Sequence, residues 1–185
     1  RIEQRGGEVT GPVVVGRVLD IVAEPQKNGK TIRWCTVDCG PEHNASGTNP
    51  DIQNARGIVC GADNFEVGDH VVVALPGAVL PGDFAIAARK TYGHVSDGMI
   101  ASAKELALGE DHAGIIVLSR LGLDPEVGDD ALALLGMRDT AVEINVTPDR
   151  GYAFSIRGVA REYAHATGAE FRDPASALVI GRDRK

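Results

Sequence analysis

Between Val13 and Asp38 the sequence dictates a pair of strands. Val13-Val14-Val15-Gly16-Arg17-Val18-Leu19-Asp20-Ile21-Val22 is long and rich in β-branched residues. Thr31-Ile32-Arg33-Trp34-Cys35-Thr36-Val37-Asp38 alternates with the two-residue period of a strand. Lys27-Asn28-Gly29-Lys30 joins them, and Asn-Gly favours a tight type I′ turn because both of its central residues need positive φ. The two runs are therefore expected to pair antiparallel. Gly16 suits a bulge or bend in the first of them.

Strand character continues to about Arg89. Residues 57–61 and 69–74 are short and strand-like, and residues 83–90 form a further alternating run. Pro76-Gly77 and Pro81-Gly82 supply turn chemistry between them. Residues 39–55 are rich in Gly, Pro, Asn, Ser and Asp with almost no apolar side chain, and read as an exposed insertion. Four to six short strands with such turns predict a small closed barrel, which hides the edges they would otherwise expose.

Beyond Gly98 the pattern changes. Ser102-Ala103-Lys104-Glu105 has the Ser-x-x-Glu form of a capping box and predicts a short helix ending near Gly109. Residues 129–135 read as another helical turn and residues 142–146 as a strand, broken by Thr147-Pro148-Asp149-Arg150. From Ser155 to Thr167 the apolar positions Ile156, Val159, Ala160 and Tyr163 follow helical spacing, with Gly168 as the stop. The fold class expected is mainly β with an α+β extension: a β-barrel followed by a small α/β segment.

Composition limits what such a chain does. Its 185 residues are 43% hydrophobic and 24% charged, which suits an ordinary folded domain. A net charge of −7 argues against a broad basic face for duplex DNA, and 4% aromatics argue against a wide stacking platform. No apolar run approaches a membrane span, and no signal peptide is seen. The chain opens on Arg1 rather than Met, as expected of a fragment or of a chain that has lost its start.

No catalytic constellation emerges. His43, His70, His94, His112 and His165 lack metal-ligand spacing, and no nucleophile elbow or glycine-rich phosphate loop occurs. Glu110-Asp111-His112 reads as an exposed acidic loop rather than a cation site. Cys35, Cys39 and Cys60 are an odd set without a second close pair, so they read as buried, reduced thiols in a cytosolic protein rather than as a zinc site. Binding is the better prospect. Lys27, Lys30 and Arg33 surround the first hairpin, and Arg89-Lys90 ends a later strand. Barrels of this type carry oligonucleotides across their middle strands, between two flanking loops.

Three blocks carry a resemblance. Val59-Cys60-Gly61-Ala62-Asp63-Asn64, then the run from Val71 to Gly82, then Ser96-Asp97-Gly98-Met99-Ile100-Ala101-Ser102 resemble the tRNA-binding oligonucleotide-barrel (OB-fold) domain. The continuation through the run from Glu105 to Ile115, Glu143-Ile144-Asn145-Val146-Thr147-Pro148-Asp149-Arg150 and Ser155-Ile156-Arg157-Gly158-Val159-Ala160-Arg161-Glu162 is similar to the β subunit of bacterial phenylalanine–tRNA ligase. Departures from that pattern are the long link over residues 41–51, Ala101 and Ala153 where many relatives have cysteine, and Gly151-Tyr152 in place of Pro-Asp.

The resemblance implies an N-terminal extension over residues 1–10, a tRNA-binding OB-fold domain over 11–119, and part of a second, α+β domain over 120–185. It adds Asn64, Ser96 and Met99 to Lys27, Lys30, Arg33, Arg89 and Lys90 as tRNA-binding residues, with no catalytic and no metal residue in these segments. It implies a cytoplasmic ligase of two α and two β subunits that uses ATP and Mg²⁺ elsewhere in the enzyme, with tRNA and the α subunit as partners, and neither membrane nor DNA. Two other readings stay open. One is a free-standing, non-enzymatic tRNA-binding module; the other is a structural barrel that has lost RNA binding.

Overall fold

The computed structural model describes residues 1–4, 8–27, 29–45, 47, 52–110 and 114–173. The first strand, β1 (Ile2–Gln4), is followed by the long β2 (Val13–Pro25), then β3 (Thr31–Asp38), a four-residue helix α1 (Pro41–Asn44), β4 (Arg56–Cys60) and β5 (His70–Ala74). Short strands continue: β6 (Val79–Leu80), β7 (Phe84–Ala85), β8 (Arg89–Thr91), β9 (His94–Ser96) and β10 (Met99–Ile100). A 3₁₀ turn at Leu118–Leu121, helix α2 (Ala131–Leu134) and strand β11 (Thr140–Val142) complete this part.

Five strands form one antiparallel sheet in the order β10-β5-β2-β3-β4. Its end strands β4 and β10 approach each other without a ladder, so the barrel is nearly closed. This is the strand order of an OB fold. Among the bonds that tie the seam, the Asp97 N–H donates to the Gly57 carbonyl at 2.8 Å, and the Val59 N–H donates to the Ser96 hydroxyl at 3.0 Å.

The strand β2 serves two partners. Its first half pairs with β5, from Val13 opposite Ala74 to Arg17 opposite His70. Its second half pairs with β3, from Arg17 opposite Asp38 to Pro25 opposite Thr31. The register shifts between Val18 and Asp20, which places the bulge at Leu19 rather than at Gly16. Gly16 has a different reason: a Cβ there would lie 2.6 Å from Val73 Cγ2 and 2.7 Å from Val37 Cγ1.

Both faces of β5 and of the first part of β2 are covered, which is why Val13-Val14-Val15 and Val71-Val72-Val73 read as unbroken apolar runs. The barrel interior holds Val14, Val18, Cys35, Val37, Ile58, Phe65, Val71, Val73 and Ile100. On the other face Val13, Val15, Val72 and Ala74 join Leu80, Leu106, Leu118, Leu132 and Met137 in a second apolar cluster. Burying side chains of this size contributes roughly 1.5–3 kcal/mol each, so the two clusters dominate the stability of this unit.

Several local expectations need correction. The first hairpin closes through Gln26 N–H to Lys30 O (2.7 Å) and Gly29 N–H to Gln26 O (3.0 Å), with Gly29 at φ 80°. That is a three-residue connection ending in a left-handed glycine, not a two-residue type I′ turn; Asn28 lies outside the described residues. The two-residue turn with positive φ at both central positions occurs instead at Tyr92 (51°) and Gly93 (90°), between β8 and β9. Residues 83–90 are not one run but two short strands from different hairpins.

The segment after β3 is less exposed than its composition suggests. Cys39 is buried, and the Asn44 side chain accepts from Cys39 N–H at 2.9 Å while donating to Asp38 at 2.7 Å. The capping box forms without a helix. Ser102 N–H and hydroxyl both donate to the Glu105 carboxylate (2.7 and 2.8 Å), but Ala107 turns to φ 54° and ends the helical course after one turn. The expected turn at 129–135 is α2, capped by the Asp130 carboxylate accepting from Leu132 N–H at 2.9 Å. The strand expected at 142–146 is shifted to β11.

The chain divides into two compact units, one of residues 2–141 and one of Arg1 with residues 142–185. In the second, a 3₁₀ stretch (Pro148–Phe154) kinked at Arg150 leads into helix α3 (Ile156–Thr167). Ser155 caps α3 by accepting from Gly158 N–H at 3.0 Å, and Gly168 stops it at φ 74°, the stop being the one the sequence indicates. Its apolar stripe is not a buried one: Ile156 is 91% and Tyr163 64% exposed.

Candidate nucleic-acid interface

Alternation in β3 sends Cys35 and Val37 into the barrel and leaves Trp34 on its outer face. Trp34 lies opposite Val22 on β2 and Val59 on β4, at the middle of the three-strand surface. Gly57 makes room for it, since a Cβ there would meet the indole at 2.2 Å. This is the strand face across which OB barrels carry oligonucleotides.

Two loops border that face. One is the β2–β3 hairpin, with Lys27 and Lys30 exposed at its tip. The other is the long connection from β5 to β10, whose β8–β9 hairpin carries Arg89 and Lys90, also exposed. A side chain links the two. The His94 ring, on β9, stacks on Trp34 with centroids 4.2 Å apart and planes 15° from parallel. Its Nε2 lies 2.9 and 3.1 Å from the two oxygens of Glu24, on β2 near the first hairpin. A carboxylate offers only acceptors, so Nε2 carries the proton in this contact.

The eight residues expected to touch RNA separate into two groups. Lys27, Lys30, Arg89 and Lys90 sit on the two bordering loops, and Glu24–His94 brings those loops together. The other four are engaged by the protein. The Arg33 guanidinium donates to the Phe65 carbonyl at 2.8 Å and lies 5.2 Å from the centre of the Phe65 ring. Asn64 clasps Ile115: its amide donates to the Ile115 carbonyl and accepts from the Ile115 N–H, both at 2.9 Å. Ser96 is buried, accepting from Val59 and donating to Gly98 O at 3.1 Å. Met99 is half-buried and packs on the outer apolar cluster.

Sequence reasoning missed Glu24, Trp34 and His94. The signal was present for Trp34, because it alternates with the buried Cys35 and Val37; nothing local in the sequence marks its contact with His94, sixty positions on. A groove also passes Met99. A cavity of about 720 Å³ is lined by Val59, Phe84, Met99 and Lys104 among others, and Val59, Phe84 and Met99 also line a smaller one that reaches Arg89.

Cys35, Cys39 and Cys60 are free and buried. Burial pushes the Cys35 and Cys39 thiols up to about 12 and raises Cys60 as well, which leaves all three protonated at neutral pH. Among the described residues, no three His, Cys, Asp or Glu side chains gather as a metal-donor set, and no helix is long and apolar enough to cross a membrane. What the surface offers chemically is cations for phosphate, beside an indole stacked with His94.

Comparison with known proteins places the barrel in a family. Residues 13–122 match the family described as "Putative tRNA binding domain". The chain is 69% identical over 176 residues to the phenylalanine–tRNA ligase β subunit of Leifsonia xyli, covering 92% of this chain and 20% of that one. It is 56% identical to the same subunit from Bifidobacterium longum and 54% identical to that from Cutibacterium acnes, covering 95% and 98% of this chain and 21% and 22% of those relatives. It thus spans about a fifth of the length of the curated relatives it matches. The family match embraces every strand of the barrel, and the chain belongs to the tRNA-binding-domain family.

Proposed function

We propose that this chain is the tRNA-contacting and architectural part of a phenylalanine–tRNA ligase β subunit. In this reading the whole enzyme is a cytoplasmic assembly of two α and two β subunits that joins phenylalanine to its tRNA with ATP and Mg²⁺. The barrel contributes contact and positioning. In this reading ATP and Mg²⁺ belong to other parts of the enzyme.

The observation that carries the reading is the meeting of two basic loops across one strand face, through Glu24 and His94. Lys27 and Lys30 approach from one side, Arg89 and Lys90 from the other. Four cations against a net charge of −7 make a local patch on a chain that otherwise repels RNA. Contact is then electrostatic and directed by shape, with a steep dependence on salt.

A salt series of tRNA binding tests it, with wild type and the Arg89→Ala/Lys90→Ala variant. The double substitution is expected to weaken binding on the order of tenfold, at about 1 kcal/mol or less for each exposed contact, and to flatten the salt slope. Binding that ignores both salt and the substitutions would mean a different surface. Absence of binding by the wild type at low salt would favour the structural barrel, a reading supported by the internal engagement of Arg33, Asn64 and Ser96. Native mass spectrometry of the full-length protein tests for the α partner.

A further inference from the structure

The stacked pair on the outer strand face has the dimensions of a base-recognition site. Trp34 is the only tryptophan in the chain and lies where OB barrels stack bases. The ring on it is a five-membered heteroaromatic, near-parallel at 4.2 Å, and its N–H edge is aimed at a carboxylate. Both Glu24 oxygens face that edge, at 2.9 and 3.1 Å. A nucleobase stacked on an indole with its donor edge on a carboxylate would have the same arrangement.

We propose that Trp34 and Glu24 form a binding site for an unpaired guanine, and that His94 occupies this site in the free protein. This rests on the tRNA-contact reading above and specifies one base contact within it. A carboxylate selects among bases by the donors they present. Guanine offers two adjacent donors on its Watson–Crick edge, the N1–H and an N2–H, which match two carboxylate oxygens in parallel. Adenine and cytosine offer one amino group beside an acceptor, and uracil one imide N–H between two carbonyls. The acceptors would face the lone pairs of Glu24.

Exchange needs little rearrangement. Only the imidazole has to leave, by rotation about its own side-chain bonds, because the base of the hairpin is held separately at Ser96. The His94 side chain is already 28% exposed, and that of Glu24 31%. The turn above it is strained, with Tyr92 at φ 51°, a region bulky side chains avoid and one found at clamps and switches. The entering base replaces the stacking and the hydrogen bond that His94 gives up. The gain comes from its phosphates, which meet Lys27, Lys30, Arg89 and Lys90 and offset the negative charge of Glu24.

Fluorescence of the 185-residue chain tests this directly, since all indole emission comes from Trp34. The probes are a short oligouridylate and versions with one central guanosine, inosine or adenosine. The guanosine probe is expected to change the emission and to bind about tenfold more tightly than the adenosine probe, with inosine, which lacks the second donor, between them. His94→Ala removes the competing ring, so it should tighten the guanosine probe several-fold. Glu24→Gln should erase the preference for guanosine while the emission change persists. Weaker binding by His94→Ala would mean that His94 merely positions the basic hairpin, and would overturn the proposal. So would salt-dependent binding, abolished by Arg89→Ala/Lys90→Ala, that leaves Trp34 emission unchanged; that result would leave the tRNA-contact reading intact. Failure of wild type and His94→Ala to bind any RNA would remove both.

Discussion

Arg56 and Asp97 form an ion pair at 2.9 Å with their side chains only 3% and 1% exposed. Arg56 opens β4, and Asp97 follows β9 at the end of the long β5–β10 connection, just before β10. The same guanidinium donates through Nε to the His43 carbonyl at 3.0 Å, so it also holds α1 against the barrel. One buried cation thus organises three segments that the sequence presents as unrelated loops. The hydrogen bond of Asp97 N–H to Gly57 O places this pair at the closing seam.

Arg56→Leu leaves a carboxylate buried without its cation. Loss of one partner from a buried pair costs about 3–5 kcal/mol. Urea denaturation is expected to show that loss, with the slope little changed. Replacing both residues by apolar ones of similar volume should cost less than Arg56→Leu alone. A double variant worse than either single one would show that the pair stabilises the seam beyond neutralising itself.

Asn64 illustrates how a family motif can serve the fold. Its two hydrogen bonds to Ile115 make a side chain act like a strand partner, and Asn64→Ala leaves that backbone N–H and carbonyl without it. The expected loss is about 1–3 kcal/mol of stability. Measured where the variant stays folded, its tRNA affinity should change less than that of Arg89→Ala/Lys90→Ala. A larger change in affinity than in that double variant would return Asn64 to the RNA surface.

The barrel was legible because its longest strands announce themselves locally. The runs 13–22 and 31–38 carry both period and β-branching, and β2 and β3 pair as expected. Two end signals were equally legible: Gly168 stops α3, and the Ser102–Glu105 pair forms. What followed the caps was not. Ser102–Glu105 closes a box but no helix, since Leu106 is drawn into the outer apolar cluster and Ala107 reverses the chain. The tight two-residue turn falls instead at Tyr92-Gly93, where Tyr92 has no local preference for positive φ. Of the surface, the cations were legible by charge. Their juxtaposition was not, because Glu24 and His94 are seventy positions apart and meet only once the barrel is built.

Gly16 separates two explanations of a strand glycine. A glycine at a bulge answers to backbone freedom, whereas this one answers to Val37 and Val73, each within 2.7 Å of the missing Cβ. Gly16→Ala is therefore an overpacking substitution, expected to cost about 1–3 kcal/mol. Trimming Val73 to Ala in the same chain should recover part of that loss, beyond the sum of the two single effects. Thermal denaturation of the four-variant cycle measures it; strict additivity would count against the steric account.

The three buried thiols give the protein an alkaline limit. Burial raises Cys35 and Cys39 from 9.0 to about 12, so the folded chain keeps protons that the unfolded chain has lost over that interval. The state binding more protons loses ground as pH rises. The contribution is therefore fully present below pH 9 and declines above it, by about 1.4 kcal/mol per pH unit for each thiol. Cys60, raised in the same direction, adds to the decline. The informative quantity is the difference between wild type and Cys39→Ala, which isolates the thiol. Urea denaturation from pH 8 to pH 11 should give a shallower fall for the variant, although it starts from lower stability. In the folded protein all three thiols should resist a thiol reagent at pH 8 and react together on unfolding. Equal slopes for wild type and variant, or rapid labelling of the folded chain, would show that these thiols are not held in the barrel interior as described.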